Sequence, residues 1–245
     1  MSLTPDEAYF QLGRLLAEVP DLGGGEITPA VRAWLKRADE LVQDAGGLAD
    51  LIQLRVAAQN IDGPLRTRHV RTIGAIVQRA LERAEQEASD DARGAFITAT
   101  NAFDVFAAVR RVLSSAQEKV LMVDAQADAT VLTDYAALAP DGIAVHLLTG
   151  EAEHKPTLLT AAENWVERFG EHRPLDIRVA SAETLTDNLI LVDGATVWIV
   201  GASFSELARG ELQRNKRTTL MRLPPDPAAG KAAVYAALWE SAEPL

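Results

Sequence analysis

The chain contains no cysteine and no apolar segment long enough to cross a membrane. The missing cysteine excludes disulfide bonds and thiolate metal sites, and it agrees with a reducing compartment. A spanning helix needs roughly 18 consecutive apolar residues, and no run approaches that length. The first residues, Met1 to Glu7, also lack the basic and then apolar segments of a signal peptide. We therefore expect a cytoplasmic protein that does not insert into a membrane.

Positive charge is also scarce. The 245 residues include 24 Lys and Arg against 35 Asp and Glu, which gives a formal net charge of −11. An acidic chain repels nucleic acid unless basic residues cluster on one face, so broad, nonspecific DNA binding is disfavoured. Hydrophobic residues make up 48% of the chain, which is enough to build a sizeable core.

The first part of the chain, residues 1–93, has the pattern of a helical region. The segment Thr4-Pro5-Asp6-Glu7 has the form of a capping box with proline at the first helical position. Thr28-Pro29 gives a second helix start, and Gly46-Gly47 ends that run. An apolar stripe predicts a further helix from about Leu65 to Ala88.

The second part, residues 94–245, alternates between helical and strand patterns. The helix expected first carries an apolar stripe formed by Phe103, Phe106, Val109, Val112 and Leu113. Six strands are predicted: Lys119–Asp124, Ile143–Leu148, Leu175–Val179, Leu189–Asp193, Thr196–Val200 and Thr218–Leu223. Asp-Gly at residues 193 and 194 is the dipeptide favoured in tight hairpin turns. The prediction is an α/β protein: an N-terminal helical region followed by a mixed β-sheet flanked by helices.

The predicted hairpin carries the most specific pattern in the chain. It begins Thr186-Asp187-Asn188, continues through four apolar residues to Asp193, and is followed by Gly201-Ala202-Ser203. On these residues, the chain from about 94 to 245 resembles the phospholipase D superfamily, whose motif is His-x-Lys, four residues, then Asp. The spacing places Thr186 at the His position, Asn188 at the Lys position and Asp193 at the Asp position. The resemblance implies a homodimer, because members with one motif copy assemble their site from two chains.

The departures from the motif remove the chemistry that the resemblance implies. In the superfamily the histidine attacks phosphorus and forms a covalent phosphoenzyme, and the lysine offsets charge on the phosphoryl oxygens. Thr186 has no evident base to activate its hydroxyl, and Asn188 carries no positive charge. Losing both groups should cost several powers of ten in rate. We therefore assign no catalytic residue, cofactor or metal, and treat Thr186, Asn188, Asp193 and Ser203 as vestigial motif positions.

Basic residues and histidines were considered as other site candidates. The segment after the hairpin contains four candidate phosphate ligands: Arg209, Arg214, Lys216 and Arg217. Their alternative role is a solvated loop that pairs with nearby glutamates. A second basic cluster begins the long N-terminal helix: Arg66, Arg68, His69 and Arg71. The remaining histidines are expected in an apolar strand (His146), an acidic turn (His154) and a loop (His172), and none has the spacing of the missing nucleophile.

Three functions are compatible with these observations. The first is a catalytically inactive phospholipase D-like protein that acts as a dimeric scaffold, binding or regulatory module, with a partner protein bound through the N-terminal helices. The second is a phosphodiesterase or nuclease with a rearranged site that uses Asp193 and a histidine from the dimer partner. The third is a nucleic-acid-binding regulator in a bacterial defence or restriction setting, which rests on fold analogy.

Overall fold

The chain divides into two compact units, Met1–Ala95 and Phe96–Leu245. The described part of the first unit is helical, as its capping and periodicity signals predict. A computed structural model describes residues 3–24, 26–45, 47–90, 92–99, 102–151, 156–181, 183–209 and 218–245. The boundary expected from composition, between residues 93 and 94, lies two residues before the division of the chain at Ala95.

Four helices are described in the first unit: α1 (Pro5–Ala17), α2 (Pro29–Ala45), α3 (Leu48–Gln59) and α4 (Arg66–Glu87). The predicted capping box begins α1, where the Glu7 backbone N–H donates to Thr4 Oγ1 at 3.3 Å and the Thr4 N–H donates to Glu7 Oε2 at 2.8 Å. Helix α3 is not predicted by the sequence pattern.

The core of the first unit lies where α1 and α4 pack together. Tyr9 and Leu12 of α1 are buried, as are Ile73, Ile76 and Val77 of α4. The Tyr9 hydroxyl donates to Glu85 at 2.9 Å, so the one polar atom of this large side chain is satisfied.

In the second unit, the described strands form one eight-stranded mixed sheet in the order β1-β7-β6-β5-β2-β3-β4-β8. Their bounds are β1 Phe96–Ala99, β2 Lys119–Asp124, β3 Ala144–Thr149, β4 Leu175–Val179, β5 Asn188–Val192, β6 Thr196–Val200, β7 Thr218–Arg222 and β8 Glu243–Pro244. Strands β2, β3 and β4 run parallel, and the other neighbouring pairs are antiparallel. The predicted mixed α/β fold is confirmed.

Helices cover both faces of this sheet. They are α5 Ala102–Leu113, α6 Pro156–Phe169, α7 Phe204–Ala208 and α8 Pro225–Ser241, with a π-helical turn at Val131–Tyr135 and a 3₁₀ turn at Ala136–Leu138. Alternate residues of β5 enter two cores: Ile190 and Val192 pack with α5, α6 and α7, whereas Leu189 and Leu191 pack with α8. None of the helices in the described ranges has both the length and the apolar character needed to cross a bilayer.

The apolar stripe predicted for α5 is wrong at its first two residues, Phe103 and Phe106. Phe103 is 81% exposed, and Phe106 is exposed as well, whereas Val105, Ala108 and Val109 are buried. Position 103 lies two residues before Val105, or about 200° around the helix axis, and so points away from the core.

Candidate functional site at one end of the sheet

The motif-bearing segment folds as the predicted hairpin. Strands β5 and β6 pair antiparallel, with Asn188 opposite Val200 and Val192 opposite Thr196. Asp193 and Gly194 both have positive φ, 49° and 70°, as the central residues of a type I′ turn require. Aspartate tolerates this conformation better than most residues and glycine has no side chain to strain, so the sequence fixes the turn locally.

The hairpin brings the first two motif positions, Thr186 and Asn188, to one end of the sheet. We call the edge where β2 and β6 finish and β5 and β7 begin the sheet end. Asn188 is the first residue of β5 and is half-buried, and Thr186 lies exposed two residues before it. Val123 of β2 pairs with Leu189, so Asp124 and Asn188 are the next neighbours in this register.

Asp124 is the buried polar centre of the sheet end. Its Oδ2 accepts the Ser203 hydroxyl at 3.0 Å and the Phe204 backbone N–H at 2.9 Å. Its Oδ1 accepts the Gln126 backbone N–H at 2.8 Å. A buried carboxylate held by several donors fixes the loops that provide them, so Asp124 ties the end of β2 to the segment that follows β6.

Ser203 has a second structural role. Its Oγ accepts the Ser205 backbone N–H at 3.2 Å, and Glu206 accepts the Ser203 N–H at 3.3 Å, which completes a capping box at the start of α7. Ser203 therefore has two structural contacts, the cap of α7 and the bond to Asp124.

Asp193 lies at the opposite end of the hairpin from Thr186 and Asn188. Four strand residues lie between it and Asn188, so the five steps along the extended strand cover about 16 Å. Its carboxylate accepts three backbone N–H groups, from Gln117 at 2.9 Å, Glu118 at 2.9 Å and Lys119 at 3.0 Å. Burial alone would raise the pKa of Asp193, but these three bonds outweigh it and hold the pKa below its ordinary value. Asp193 thus anchors the start of β2 to the turn.

A lysine of α8 lies near the motif, on the face of β5 opposite to that of Asn188. Lys231 of α8 forms an ion pair with Asp187, and the Tyr235 hydroxyl donates to the same carboxylate oxygen at 2.8 Å. Burial opposes ionisation of Asp187, but Lys231 and Tyr235 outweigh it and lower its pKa. Burial and the adjacent Asp187 charge raise the pKa of Tyr235. Sequence reasoning missed Lys231 and Tyr235, whose spacing of four residues only places them on one face of α8.

Of the four basic candidates after the hairpin, only Arg209 lies within the described residues. Arg209 forms a 2.8 Å ion pair with Asp128, whose carboxylate also accepts the Thr130 N–H at 2.9 Å. Burial would raise the pKa of Asp128, but the bonds from Thr130, Ser205 and Arg209 lower it. The other candidates, Arg214, Lys216 and Arg217, lie outside the described residues.

The second unit has two described histidines, His146 and His172, and neither lies beside Thr186. His146 is in β3, three residues before the strand ends and on the face that carries α8, where its ring stacks on Trp239 at 4.6 Å. Burial lowers its pKa, so the neutral ring is favoured. His172 is exposed in the loop before β4, His69 belongs to α4 of the first unit, and His154 is outside the described residues.

Within the described residues, no three His, Asp or Glu side chains are grouped closely enough to hold a metal ion. The sheet end contains the hydrogen-bonded pair Asp124 and Ser203 and the exposed Thr186. Two ion pairs lie nearby, Lys231 with Asp187 and Arg209 with Asp128.

Several solved structures are similar to this chain. NucT from Helicobacter pylori aligns with 61% of this chain and 99% of its own, at 16% identity and a TM-score of 0.41. TrmBL2, described as an archaeal chromatin protein with a novel mode of DNA binding, aligns with 97% of this chain and 92% of its own, at 12% identity and a TM-score of 0.39. Phosphatidylserine synthase from Haemophilus influenzae Rd KW20 aligns with 76% of this chain and 49% of its own, at 12% identity and a TM-score of 0.39.

No family model matches the sequence, and no curated protein matches it.

Proposed function

We propose that this protein is a catalytically inactive phospholipase D-like protein that acts as a dimeric binding or regulatory module. One observation carries the proposal. The hairpin keeps the structural residues of the motif, Asp193 and Ser203, in hydrogen-bonded positions, whereas the positions expected for a nucleophile and a cation hold Thr186 and Asn188.

The contacts of Asp193 and Ser203 explain why those residues would persist without catalysis. Asp193 binds three backbone N–H groups at the start of β2, and Ser203 caps α7 and donates to Asp124. Both roles stabilise the fold. Replacing the two reactive residues would remove the reaction and leave these structural bonds in place.

The groups near the motif do not supply substitutes for the missing chemistry. Lys231 is paired with Asp187 on the α8 side of β5, whereas Asn188 belongs to the alternate positions that face α5. Asp193, the acid that a rearranged phosphodiesterase would use, is about 16 Å from Asn188 along the strand and is occupied by backbone donors. The Thr186 hydroxyl bonds the Asp187 carboxylate, but Lys231 and Tyr235 hold the pKa of Asp187 below its ordinary value, so this carboxylate is a weak base. Asn188 supplies no positive charge, so the main sources of rate enhancement are missing.

An exposed aromatic residue supports a binding role for the sheet end. Helix α5 follows β1, whose last residue Ala99 pairs with Thr218, the first residue of β7. Phe103, in the first turn of α5, therefore lies at the sheet end with most of its ring in solvent. Exposed aromatic side chains are over-represented at protein contacts, so we place the contact surface of the proposed dimer or partner here.

Hydrolysis assays test the proposal. Purified protein is expected to release no p-nitrophenol from bis(p-nitrophenyl) phosphate above the buffer rate, and to cleave no DNA, RNA or phospholipid, with or without EDTA. A competent phosphodiesterase serves as the positive control. Turnover that disappears in Thr186→Ala or Asn188→Ala would refute the proposal, because it would show that these side chains catalyse.

The same assays separate the alternatives. A phosphodiesterase with a rearranged site requires activity that is lost in one of the single His→Ala variants at residues 69, 146, 154 and 172. A nucleic-acid-binding regulator requires DNA or RNA binding without cleavage that weakens steeply with salt and on neutralising Arg214, Lys216 and Arg217.

A further inference from the structure

A groove lies between α6 and the segment that contains the π-helical turn. One wall is formed by α6 from Thr157 to Phe169, and the other by the chain from Ala129 to Ala137. The volume of the groove is about 620 Å³, within the roughly 300–1,000 Å³ of small-molecule sites. The helix rises about 18 Å between Thr157 and Phe169, so the groove is elongated. These dimensions fit a single small molecule.

The π-helical turn is part of the wall opposite α6. Leu132 and Thr133 belong to this turn, and both line the groove. π-Helical turns are rare, and they occur frequently at functional sites. The backbone therefore points to the same place as the cavity, independently of the side chains that line it.

The floor of the groove is apolar. Leu132, Ala161 and Trp165 are buried, and Phe169 is half-buried. The indole N–H of Trp165 donates to the Arg173 carbonyl at 2.9 Å, so this polar atom is already satisfied. A floor of this composition favours the apolar part of a ligand.

The rim of the groove carries one charge. Three neutral polar side chains and one cation line it along α6: Thr157, Thr160, Asn164 and Arg168. Thr157, Asn164 and Arg168 recur at helical spacing, so they lie on one side of α6. None of the lining residues in the described ranges is an aspartate or a glutamate, although the chain has a net charge of −11. The groove is thus a site without negative charge in an acidic protein.

Arg168 lies at the end of the groove where α6 finishes. Its guanidinium is 5.5 Å from the centre of the Phe169 ring, and that of Arg173 is 5.1 Å from the same ring. Arg173 pairs with Asp141 at 2.9 Å, whereas no ion pair within the described residues involves Arg168. Arg168 therefore offers a charge that a bound anion can use.

Carboxylates close to these residues in sequence do not line the groove. Glu167 and Glu171 flank Arg168 along the chain, and Asp134 accepts the Thr133 hydroxyl at 2.8 Å. None of the three acidic residues is among those that line the groove. An anionic group of a ligand would therefore gain its attraction at Arg168.

We propose that this groove binds a small amphipathic monoanion, with its apolar body on the floor and its anionic group paired with Arg168. One cation matches one negative charge, and the threonines and Asn164 bond to neutral polar substituents of the ligand. Carboxylates and sulfonates on an aromatic or aliphatic body have this chemistry. The inference goes beyond the proposed function, because it uses none of the motif positions of the hairpin.

Fluorescence titration with a matched pair of probes tests the site. Anilinonaphthalene sulfonate has an apolar ring system with one sulfonate, and phenylnaphthylamine has the same rings without it. We expect saturable binding of both probes to the wild type. Arg168→Gln should weaken binding of the sulfonate about fivefold and leave binding of the uncharged probe unchanged, because only the ion pair is lost. Arg168→Lys keeps the charge and should retain most of the affinity for the sulfonate.

Lys36→Gln is the matched control for Arg168→Gln, because it removes the same charge from an exposed position of α2. This variant is expected to bind the sulfonate like the wild type. Circular dichroism establishes that all the variants are folded. Equal affinity for the sulfonate in Arg168→Gln and Lys36→Gln would overturn the proposal, as would the absence of saturable binding to the wild type.

Filling the groove provides a second test that does not depend on charge. Asn164→Trp places a large ring at an exposed lining position and should weaken binding of both probes about tenfold or more. Leu159→Trp is the control, because Leu159 is exposed on α6 and does not line the groove. Equal probe affinities in the two variants would contradict the location of the site.

The probe titrations and the hydrolysis assays have independent outcomes. A protein that binds the probes and also hydrolyses bis(p-nitrophenyl) phosphate would overturn only the proposed function. An inactive protein with no saturable probe binding would overturn only the groove proposal.

Discussion

Asp124→Ala is expected to lower the free energy of unfolding by about 4 kcal/mol, among the largest effects of any single substitution in this chain. The carboxylate is fully buried and accepts bonds from Ser203, Phe204 and Gln126. Removing it leaves the buried Ser203 hydroxyl and Phe204 N–H without their acceptor, so each retains its desolvation penalty. Urea unfolding followed by circular dichroism measures the loss.

Asp141→Ala is the matched control for this substitution. Its carboxylate is largely in solvent and pairs with Arg173 at 2.9 Å. Arg173 is mostly buried but keeps its 2.9 Å bond to the Ala137 carbonyl, so removing the exposed carboxylate should cost about 1 kcal/mol. A loss for Asp124→Ala no larger than that for Asp141→Ala would show that the bonds at the sheet end do not organise the fold.

Asp193→Asn is expected to lower the free energy of unfolding by roughly 2 kcal/mol at neutral pH, and to do so in a pH-dependent manner. Asparagine tolerates the positive φ of this turn, so the substitution isolates the negative charge that accepts the three backbone N–H groups. Because the folded-state pKa of Asp193 is lowered, its contribution is fully present above the unfolded pKa of about 3.9. The contribution is lost as the pH falls through the folded-state pKa.

The measurement is the difference in unfolding free energy between the wild type and Asp193→Asn across a pH series. The difference should be constant near neutrality and shrink as the solution is acidified below about pH 4. A difference that stays constant to the lowest pH at which the protein folds would contradict the assigned role of the charge.

The elements with strong local signals were predictable from the sequence. The capping box at Thr4, the long stripe of α4 and the turn at Asp193 each depend on residues close together in the chain, and each is confirmed. Helix α3 was missed because apolar residues on both sides cancel the periodicity that identifies an amphipathic helix. Strands β1 and β8 were missed because four and two residues are too few to show alternation.

The site was less predictable than the fold. The spacing of Thr186, Asn188 and Asp193 identified the hairpin, and the Asp-Gly turn placed Asp193 at the opposite end of the strand from the other two, but the partners of these residues were not predictable. The Asp124–Ser203 bond joins residues 79 apart in sequence, and Lys231 lies 44 residues from Asp187. Such pairs depend on strand register and helix placement, which local patterns do not determine. Phe103 illustrates the same limit, because hydrophobicity alone does not say which side of α5 is buried.

Under the proposed function, Thr186 and Asn188 provide neither a nucleophile nor a cation at the motif positions of the hairpin. The most direct measurement is the intact mass of the protein after incubation with a large excess of bis(p-nitrophenyl) phosphate and rapid denaturation, which traps any covalent phosphoryl adduct. We predict that the mass is unchanged and that Thr186→Ala and Asn188→Ala give the same result. A phosphoryl adduct on the wild-type protein that is absent from Thr186→Ala would contradict the account.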